Sequence, residues 1–248
     1  MALREELEKT GLWLFRWRSL LPIFIFPLFL AALPNSEGLE RIVGDSADEV
    51  YEGFCLAISF VGLAIRCLTV GYAPEGTSGR NTKRQKARTL NTTGMYSIVR
   101  HPLYFGNFVI FVGLILLVEV WWFILLAASA FVLYYAVIMY AEEEFLRGRF
   151  GAAYLEWAER TPAFVPRRKG WKRPDLPFAW KSVLRREYSG FFVVIASFSA
   201  LETATDLFAE HKLVLDWDAG ILLIFGFLTY LTLRTLKRRT RVLEVAGR

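Results

Sequence analysis

The sequence predicts an all-α integral membrane protein, with about six membrane-spanning helices in a single membrane domain that covers residues 1–248. Three observations support this class. Of the 248 residues, 54% are hydrophobic and only 22% are charged. Several apolar runs approach the roughly 18–20 residues with which a helix crosses a bilayer. The charged residues collect between these runs and are sparse within them.

The predicted membrane-spanning segments are residues 13–33, 50–72, 103–118, 121–141, 188–207 and 217–233. The first contains Pro22 and Pro27, which predict a kink. Little beyond residues 119–121 separates the third segment from the fourth, so these two should form a tight antiparallel hairpin. Polar residues dilute the fifth segment, which is the weakest of the six and could lie partly in the membrane interface.

The distribution of basic residues predicts how the chain is oriented. Of the 30 Lys and Arg residues, all except Arg41, Arg66 and Lys212 flank the spans on one side, whereas the loops on the other side are acidic. The positive-inside rule therefore places both termini and both long basic segments in the cytoplasm, and we expect a bacterial inner membrane. Orientation and anionic lipids explain the net charge of +6 better than nucleic-acid binding does. The sequence leaves the oligomeric state open.

The first long cytoplasmic segment ends in Arg100, His101 and Pro102. Proline suits the first turn of a helix, so His101 should lie near the start of the third span. Helix N-termini bind anions, and two cationic side chains strengthen this property. We therefore expect a site for a carboxylate or phosphate. The alternative is that these side chains form an interfacial belt with Tyr96 and Tyr104.

The second long cytoplasmic segment begins with Glu142, Glu143 and Glu144. Neighbouring helical residues point about 100° apart, so at least one carboxylate should face the helix bundle. A carboxylate facing the bundle is costly at this depth unless it binds a cation. We interpret Glu144 as part of a solvated face. An amphipathic interfacial helix should follow and end at residues 160–162.

These two segments flank the predicted hairpin, so the topology should bring them together at its cytoplasmic end. An anion site would then lie beside a cation site. A small zwitterion with one carboxylate and one ammonium, such as an amino-acid-like ligand, would satisfy both.

Two stretches in this region resemble a known family. They are "GMYSIVRHPLYFGN", residues 94–107, and "EEEFLRGRFGAAYLEWAERTPAFVP", residues 142–166. Their R-H-P-x-Y-x-G element, glutamate pair, Phe-Gly, Tyr and Arg resemble the isoprenylcysteine carboxyl methyltransferase family and its integral-membrane relatives, including phospholipid methyltransferases. The resemblance covers about residues 90–166, which we expect to form the cofactor-binding methyltransferase core.

The resemblance implies an S-adenosylmethionine-dependent methyltransferase. It assigns cofactor binding to Tyr96, Arg100, His101, Tyr104, Gly106, Glu142 and Glu143. In this assignment His101 holds the carboxylate of the cofactor, and Glu142 or Glu143 holds its ammonium. Catalysis is assigned to Arg160, which would hold or polarise the acidic group being methylated, and to Glu143.

The acceptor is expected to be a membrane lipid or a lipidated molecule, methylated on a phosphate or carboxylate oxygen. Arg66 lies inside the second span and is a candidate, with Arg160, for contacting this substrate. Because the chain has only two histidines, His101 and His211, and no Cys/His ligand cluster, we expect no metal.

Two other functions remain open. Sterol reductases of membranes share a similar R-H-P-x-Y element and bind NADPH, but the glutamate pair and Arg160 favour methyl transfer. A non-enzymatic transporter or assembly factor should carry polar residues along a path through the bilayer, whereas this sequence concentrates them at one edge.

Overall fold

The computed structural model describes residues 3–18, 21–36, 44–74, 76–77, 87–210 and 217–247. These residues form eight α-helices and no strand, which confirms the predicted all-α class. The helices are α1 (Leu3–Arg16), α2 (Leu21–Ala32), α3 (Asp45–Tyr72), α4 (Pro102–Leu116), α5 (Trp121–Phe150), α6 (Ala152–Arg160), α7 (Trp180–Glu210) and α8 (Trp217–Arg239). Arg41, His211 and Lys212, which entered the predictions above, lie outside the described residues.

Four helices are long and apolar enough to cross a membrane, which supports an integral membrane protein. Their apolar stretches are Ala47–Tyr72, Trp121–Phe150, Trp180–Phe208 and Ala219–Arg239. The other two apolar helices, Phe24–Asn35 and Pro102–Leu116, are shorter than the ~20 residues that a helix needs to cross the hydrocarbon core. The described residues therefore do not confirm the predicted count of six spans.

The prediction of one kinked span over residues 13–33 is wrong. The chain forms two separate helices there, and Pro22 lies in the first turn of α2, where proline disrupts no helical hydrogen bond. Helix α1 is rich in charged residues and packs along α5. A Cβ atom on Gly11 would lie 2.5 Å from the backbone oxygen of Val137, so only glycine permits this close approach.

The predicted tight hairpin is confirmed by the short connection between α4 and α5. The turn is made by Glu119, whose φ of 61° is unusual for a residue other than glycine. Helix α4 nevertheless packs chiefly against α3, and small residues set this contact. A Cβ atom on Gly62 would lie 2.5 Å from the backbone nitrogen of Ile110, and one on Gly113 would lie 2.2 Å from Ser59 Oγ.

The weakest predicted span, residues 188–207, lies inside the long helix α7. Three of the polar residues in this helix, Ser199, Glu202 and Thr205, are buried against the rest of the bundle. The hydroxyl of Thr205 donates to the carbonyl oxygen of Glu202 at 2.8 Å, which satisfies it within the helix. The polar residues that weaken the sequence signal therefore do not interrupt the helix.

The two long polar segments meet at the end of the bundle where α4 begins and α5 ends, as the topology predicted. We call this end the polar end. The backbone N–H of Arg100 donates to the oxygen of Pro162 at 2.8 Å, and that of His101 donates to the oxygen of Ala163 at 3.2 Å. Farther along, the N–H of Gly94 donates to the oxygen of Lys172 at 3.0 Å. These bonds hold the start of α4 in place.

The predicted interfacial helix starts at a different residue in the structure but ends where it was predicted to end. Helix α5 continues through Phe150, and the chain turns at Gly151, whose φ is 55°. The short helix α6 follows and ends at Arg160, as expected. Tyr154 on α6 is fully buried, so this helix packs onto the polar end of the bundle.

Candidate active site

His101 immediately precedes α4 and is buried at the polar end. Its φ and ψ of −119° and 62° are not helical, and Pro102 is the first residue of the helix, as the sequence predicted. Only 6% of His101 is exposed. The backbone N–H of His101 donates to Ala163, so the segment after α6 helps to hold this residue in place at the start of α4.

The two glutamates at the polar end of α5 contact this histidine directly. His101 Nε2 lies 3.0 Å from Glu143 Oε1, and Nδ1 lies 3.6 Å from Glu142 Oε2. Arg100 Nε lies 3.2 Å from the same oxygen of Glu143. The Tyr104 hydroxyl, one turn into α4, donates to Glu142 Oε1 at 2.7 Å. We call these five residues the His101 cluster.

The electrostatics of the His101 cluster favour a charged histidine. Burial alone disfavours the imidazolium, but hydrogen bonds and charges from Glu142 and Glu143 outweigh it and raise the pKa of His101 above its ordinary value of 6.5. With His101 protonated, the cluster holds two positive and two negative groups. The expected anion site and cation site are therefore adjacent and paired with each other.

Two tyrosines stand close to these carboxylates. Burial, with a contribution from Glu142, raises the pKa of Tyr96. Burial and the neighbouring Glu143 raise the pKa of Tyr154. Both phenols therefore stay neutral. Tyr154 belongs to the motif that carried the resemblance, although no pattern in the sequence assigned it a role.

Glu144 does not lie on a solvated face as interpreted. Its side chain is only 9% exposed and forms an ion pair with Arg4 of α1. Arg147 on α5 lies 3.5 Å from the same carboxylate group. Helix α1 covers this side of α5, and sequence periodicity alone does not reveal which neighbour will cover it.

The remaining predicted site residues occupy different positions. Gly106 packs against α3, where an added Cβ would lie 2.7 Å from Arg66 Cγ, so close helix packing already explains this glycine. The side chain of Arg160 donates to Glu156 at 3.0 Å on the exposed surface of α6, and it is 69% exposed. Among the described residues, the side chain of Arg160 pairs with Glu156 and not with the His101 cluster, and its role stays a prediction.

Arg66 lies deeper in the bundle and has two partners that the sequence interpretation missed. Its Nε and Nη2 donate to the two oxygens of Glu187 on α7 at 2.9 and 3.0 Å, and its Nη1 donates to Asn107 on α4 at 2.5 Å. We call these three residues the Arg66 cluster. An arginine inside a span requires a counter-charge. This requirement could have prompted a search of the sequence for an acidic partner such as Glu187.

Another arginine, Arg186 on α7, lies near enough to Tyr96 for its charge to act on the phenol. Within the described residues, no group of three or more His, Cys, Asp and Glu side chains is arranged to hold a metal ion.

With this geometry in place, the chain can be compared with known proteins. Residues 54–153 match the family model described as phospholipid methyltransferase. The match confirms the resemblance found in the sequence. It includes both glutamates of the His101 cluster and Arg66, but it ends before Arg160 and Glu187.

Two curated relatives match a similar part of the chain. The cobalt-zinc-cadmium resistance protein CzcN of Cupriavidus metallidurans is 33% identical over 112 residues, which are 45% of this chain and 49% of that protein. The nickel-cobalt-cadmium resistance protein NccN of Alcaligenes xylosoxydans xylosoxydans is 42% identical over 83 residues, 34% of this chain and 38% of that protein. The matches thus span about half of these relatives or less. No solved structure matches this chain.

Proposed function

We propose that this protein is an S-adenosylmethionine-dependent membrane methyltransferase that methylates a lipid or lipidated acceptor on a phosphate or carboxylate oxygen. The observation that carries the proposal is the pairing of His101 with Glu142 and Glu143 at the start of α4, within the stretch that matches a methyltransferase family. We further propose a single membrane domain, with the cofactor core at about residues 90–166.

The donor set of the His101 cluster fits the cofactor. The methionyl part of S-adenosylmethionine carries a carboxylate and an ammonium, and the cluster offers the complementary charges in side chains that are mostly buried. Arg100 and His101 would hold the carboxylate, and Glu142 or Glu143 would hold the ammonium. Tyr96 and Tyr104 present aromatic rings beside these groups, which favours a cationic sulfonium.

When bound, the cofactor would supply a methyl group whose carbon bonds to the acceptor oxygen while the sulfur–carbon bond breaks and its electron pair stays on sulfur. An oxyanion acceptor has no proton to lose, so the chain needs no general base. The residues of the chain have to orient the acceptor in line and exclude water. The buried polar end of α4 and α5 provides such a position at the edge of the apolar helices.

The charge pattern of the sequence supports a cytoplasmic polar end in a bacterial inner membrane. In this orientation the soluble cofactor would enter from the cytoplasm. An amphiphilic acceptor would enter from the lipid between the helices. We infer no nucleic-acid partner.

The relatives' names connect the proposal with metal resistance. Methylating a phosphate or carboxylate headgroup removes a negative charge from the membrane surface and so lowers its attraction for divalent cations. We therefore expect a strain that lacks this protein to grow less well in cadmium, zinc or cobalt salts. A strain that carries only a Glu143→Gln variant should show the same defect.

The direct test uses purified protein, radiolabelled S-adenosylmethionine and a total membrane lipid extract. Label should enter one lipid fraction with the wild-type protein. His101→Ala and Glu143→Gln should abolish labelling and cofactor binding, whereas Glu156→Gln, which removes an exposed carboxylate on α6, should leave both intact. Binding of NADPH in place of S-adenosylmethionine would overturn the proposal in favour of a reductase.

A further inference from the structure

An ion pair lies inside the helix bundle, away from the His101 cluster. The Arg66 side chain is 16% exposed and that of Glu187 is 5% exposed. Arg66 precedes the end of α3 by six residues and Glu187 follows the start of α7 by seven. At 1.5 Å per helical residue, each lies about 10 Å along its helix from the helix end nearest the polar end.

Asn107 connects this pair to the His101 cluster. It accepts a hydrogen bond from Arg66 Nη1 and follows Tyr104 by three residues, so these two side chains share one face of α4. Tyr104 in turn donates to Glu142. The Arg66 guanidinium therefore lies about one helical turn deeper than the carboxylates to which we assign the cofactor.

The guanidinium retains donors for another group. It has five N–H groups, of which three donate to Glu187 and Asn107. Within the part of the chain that the structure describes, one N–H on each terminal nitrogen has no hydrogen-bond partner. Carboxylates and phosphates are the groups that guanidinium N–H donors bind most strongly. The bidentate contact with Glu187 fixes the orientation of these donors.

The charges at this end of the bundle favour an anionic acceptor. Arg66 and Glu187 cancel, and the two cations and two carboxylates of the His101 cluster cancel as well, whereas Arg186 adds a positive charge near Tyr96. S-adenosylmethionine adds one net positive charge from its sulfonium. In a region of low dielectric constant, an anionic acceptor offsets this excess of positive charge, whereas a neutral or cationic acceptor does not.

We propose that Arg66 binds the oxyanion headgroup of the amphiphilic acceptor, with Glu187 and Asn107 as its positioning residues. This inference rests on the proposed function and names the part of the site that receives the acceptor. The headgroup chemistry is a phosphate or a carboxylate, and its apolar chain would lie among the spans. Arg66 thus has a role separate from cofactor binding.

A purely structural role for the ion pair makes a different prediction. Reversing the pair, with Arg66→Glu and Glu187→Arg in one protein, keeps a salt bridge between α3 and α7 but moves the guanidinium to the other helix. If the pair only joins helices, the reversed protein should behave like the wild type. Arg66→Lys is a second variant. It keeps the positive charge but replaces the planar guanidinium, with its two terminal nitrogens, by a single ammonium.

The experiment measures lipid retention by native mass spectrometry. Purified protein is mixed with phosphatidylcholine vesicles that contain phosphatidic acid in one arm, palmitic acid in a second and no added anionic lipid in a third. Binding of S-adenosylmethionine is measured in parallel by calorimetry. The first two arms distinguish a phosphate from a carboxylate headgroup.

We expect the wild type to retain one of the two anionic lipids in preference to phosphatidylcholine. The reversed pair and Arg66→Lys should lower this retention at least about tenfold, the value of one charge-assisted hydrogen bond, while the dissociation constant for S-adenosylmethionine stays within about twofold. Wild-type retention in the reversed protein, or no preference in the wild type, would overturn the inference. Failure of the wild type to bind S-adenosylmethionine would instead overturn the proposed function.

Discussion

The two polar clusters of this protein are built on different plans. The His101 cluster joins residues at the start of α4 to residues in the last third of α5, and its Glu142 and Glu143 side chains remain 24% and 21% exposed. The Arg66 cluster joins the interiors of three helices, and its Glu187 side chain is 5% exposed. The carboxylates of the first cluster are partly open to solvent, whereas that of the second is enclosed by the helices.

This difference also separates what each cluster contributes to stability. Partly exposed charges are screened by water, so their loss mainly affects what they bind. A charge inside the bundle depends on its partner, because lipid and protein offer nothing else to solvate it. Variants in the deeper cluster should therefore change folding most, and variants at the polar end should change binding most.

The largest effect is expected from Arg66→Met, which leaves the Glu187 carboxylate buried without its counter-charge. Removing one partner of a buried ion pair costs about 3–5 kcal/mol. Unfolding by sodium dodecyl sulfate in mixed micelles measures this loss. The double variant Arg66→Met with Glu187→Leu is the control, since it removes both charges and should recover most of the stability. Wild-type stability of the single variant would show that Glu187 is solvated.

A smaller loss, in binding only, should follow from Glu143→Gln. The amide keeps the shape of the side chain but removes the negative charge that pairs with His101 and Arg100 and would pair with a ligand ammonium. Loss of one partner in such a pair costs about 2 kcal/mol or more, so the dissociation constant for S-adenosylmethionine should rise at least about thirtyfold. Calorimetry measures it, with Glu156→Gln as the control. An unchanged constant would remove Glu143 from the cofactor site.

Much of the His101 cluster could be predicted from sequence because its parts lie in two short stretches around a hairpin. Pro102 defines a helix start, adjacent glutamates cannot all face away from the bundle, and topology brings the two together. Of the Arg66 cluster, only Arg66 itself could be predicted. Arg66 is recognisable in the sequence because it is a charged residue within an apolar run. Glu187 is 121 residues away, and no local pattern specifies which helix supplies the counter-charge.

The fold shows the same limit. The length of the apolar runs predicted the long helices. It did not predict that α1 packs along α5 at Gly11, because this contact joins distant parts of the chain. Burial of Glu144 follows from that packing. Periodicity specifies the faces of a helix but not the partner of each face.

An intermediate effect should come from Tyr104→Phe. The ring keeps its place beside Tyr135, whose centroid is 4.9 Å away, but the hydrogen bond to Glu142 is lost. A hydrogen bond to a charged group contributes about 1.5 kcal/mol, so cofactor affinity should fall about tenfold with little change in folding. Equilibrium binding and thermal unfolding, measured together, check this split. A fall in stability without a fall in affinity would mean that Tyr104 only supports packing.

The pH dependence of stability should reveal the charge of His101. Because its folded-state pKa is raised, its contribution to stability is complete below the unfolded pKa of about 6.5 and is lost as pH rises through the folded pKa. The thermal midpoint of the ligand-free protein should therefore drift downward above neutral pH. His101→Asn should flatten this drift. The other histidine provides the control, since His211→Asn should keep it, and a drift that survives in His101→Asn would assign it to other groups.

The smallest effect is expected from Arg160→Ala, and it separates the two arginines that were candidates for the acceptor. Arg160 is mostly exposed, and its ion pair with Glu156 lies within α6, so the pair contributes little in water. Methyl transfer to the labelled lipid should fall by less than about threefold, whereas Arg66→Lys should weaken acceptor binding at least about tenfold. A large loss of transfer in Arg160→Ala with cofactor affinity unchanged would reverse this order. It would mean that Arg160 holds the acidic group of the acceptor, as the family resemblance implies, and that the deeper arginine serves only to join α3 and α7.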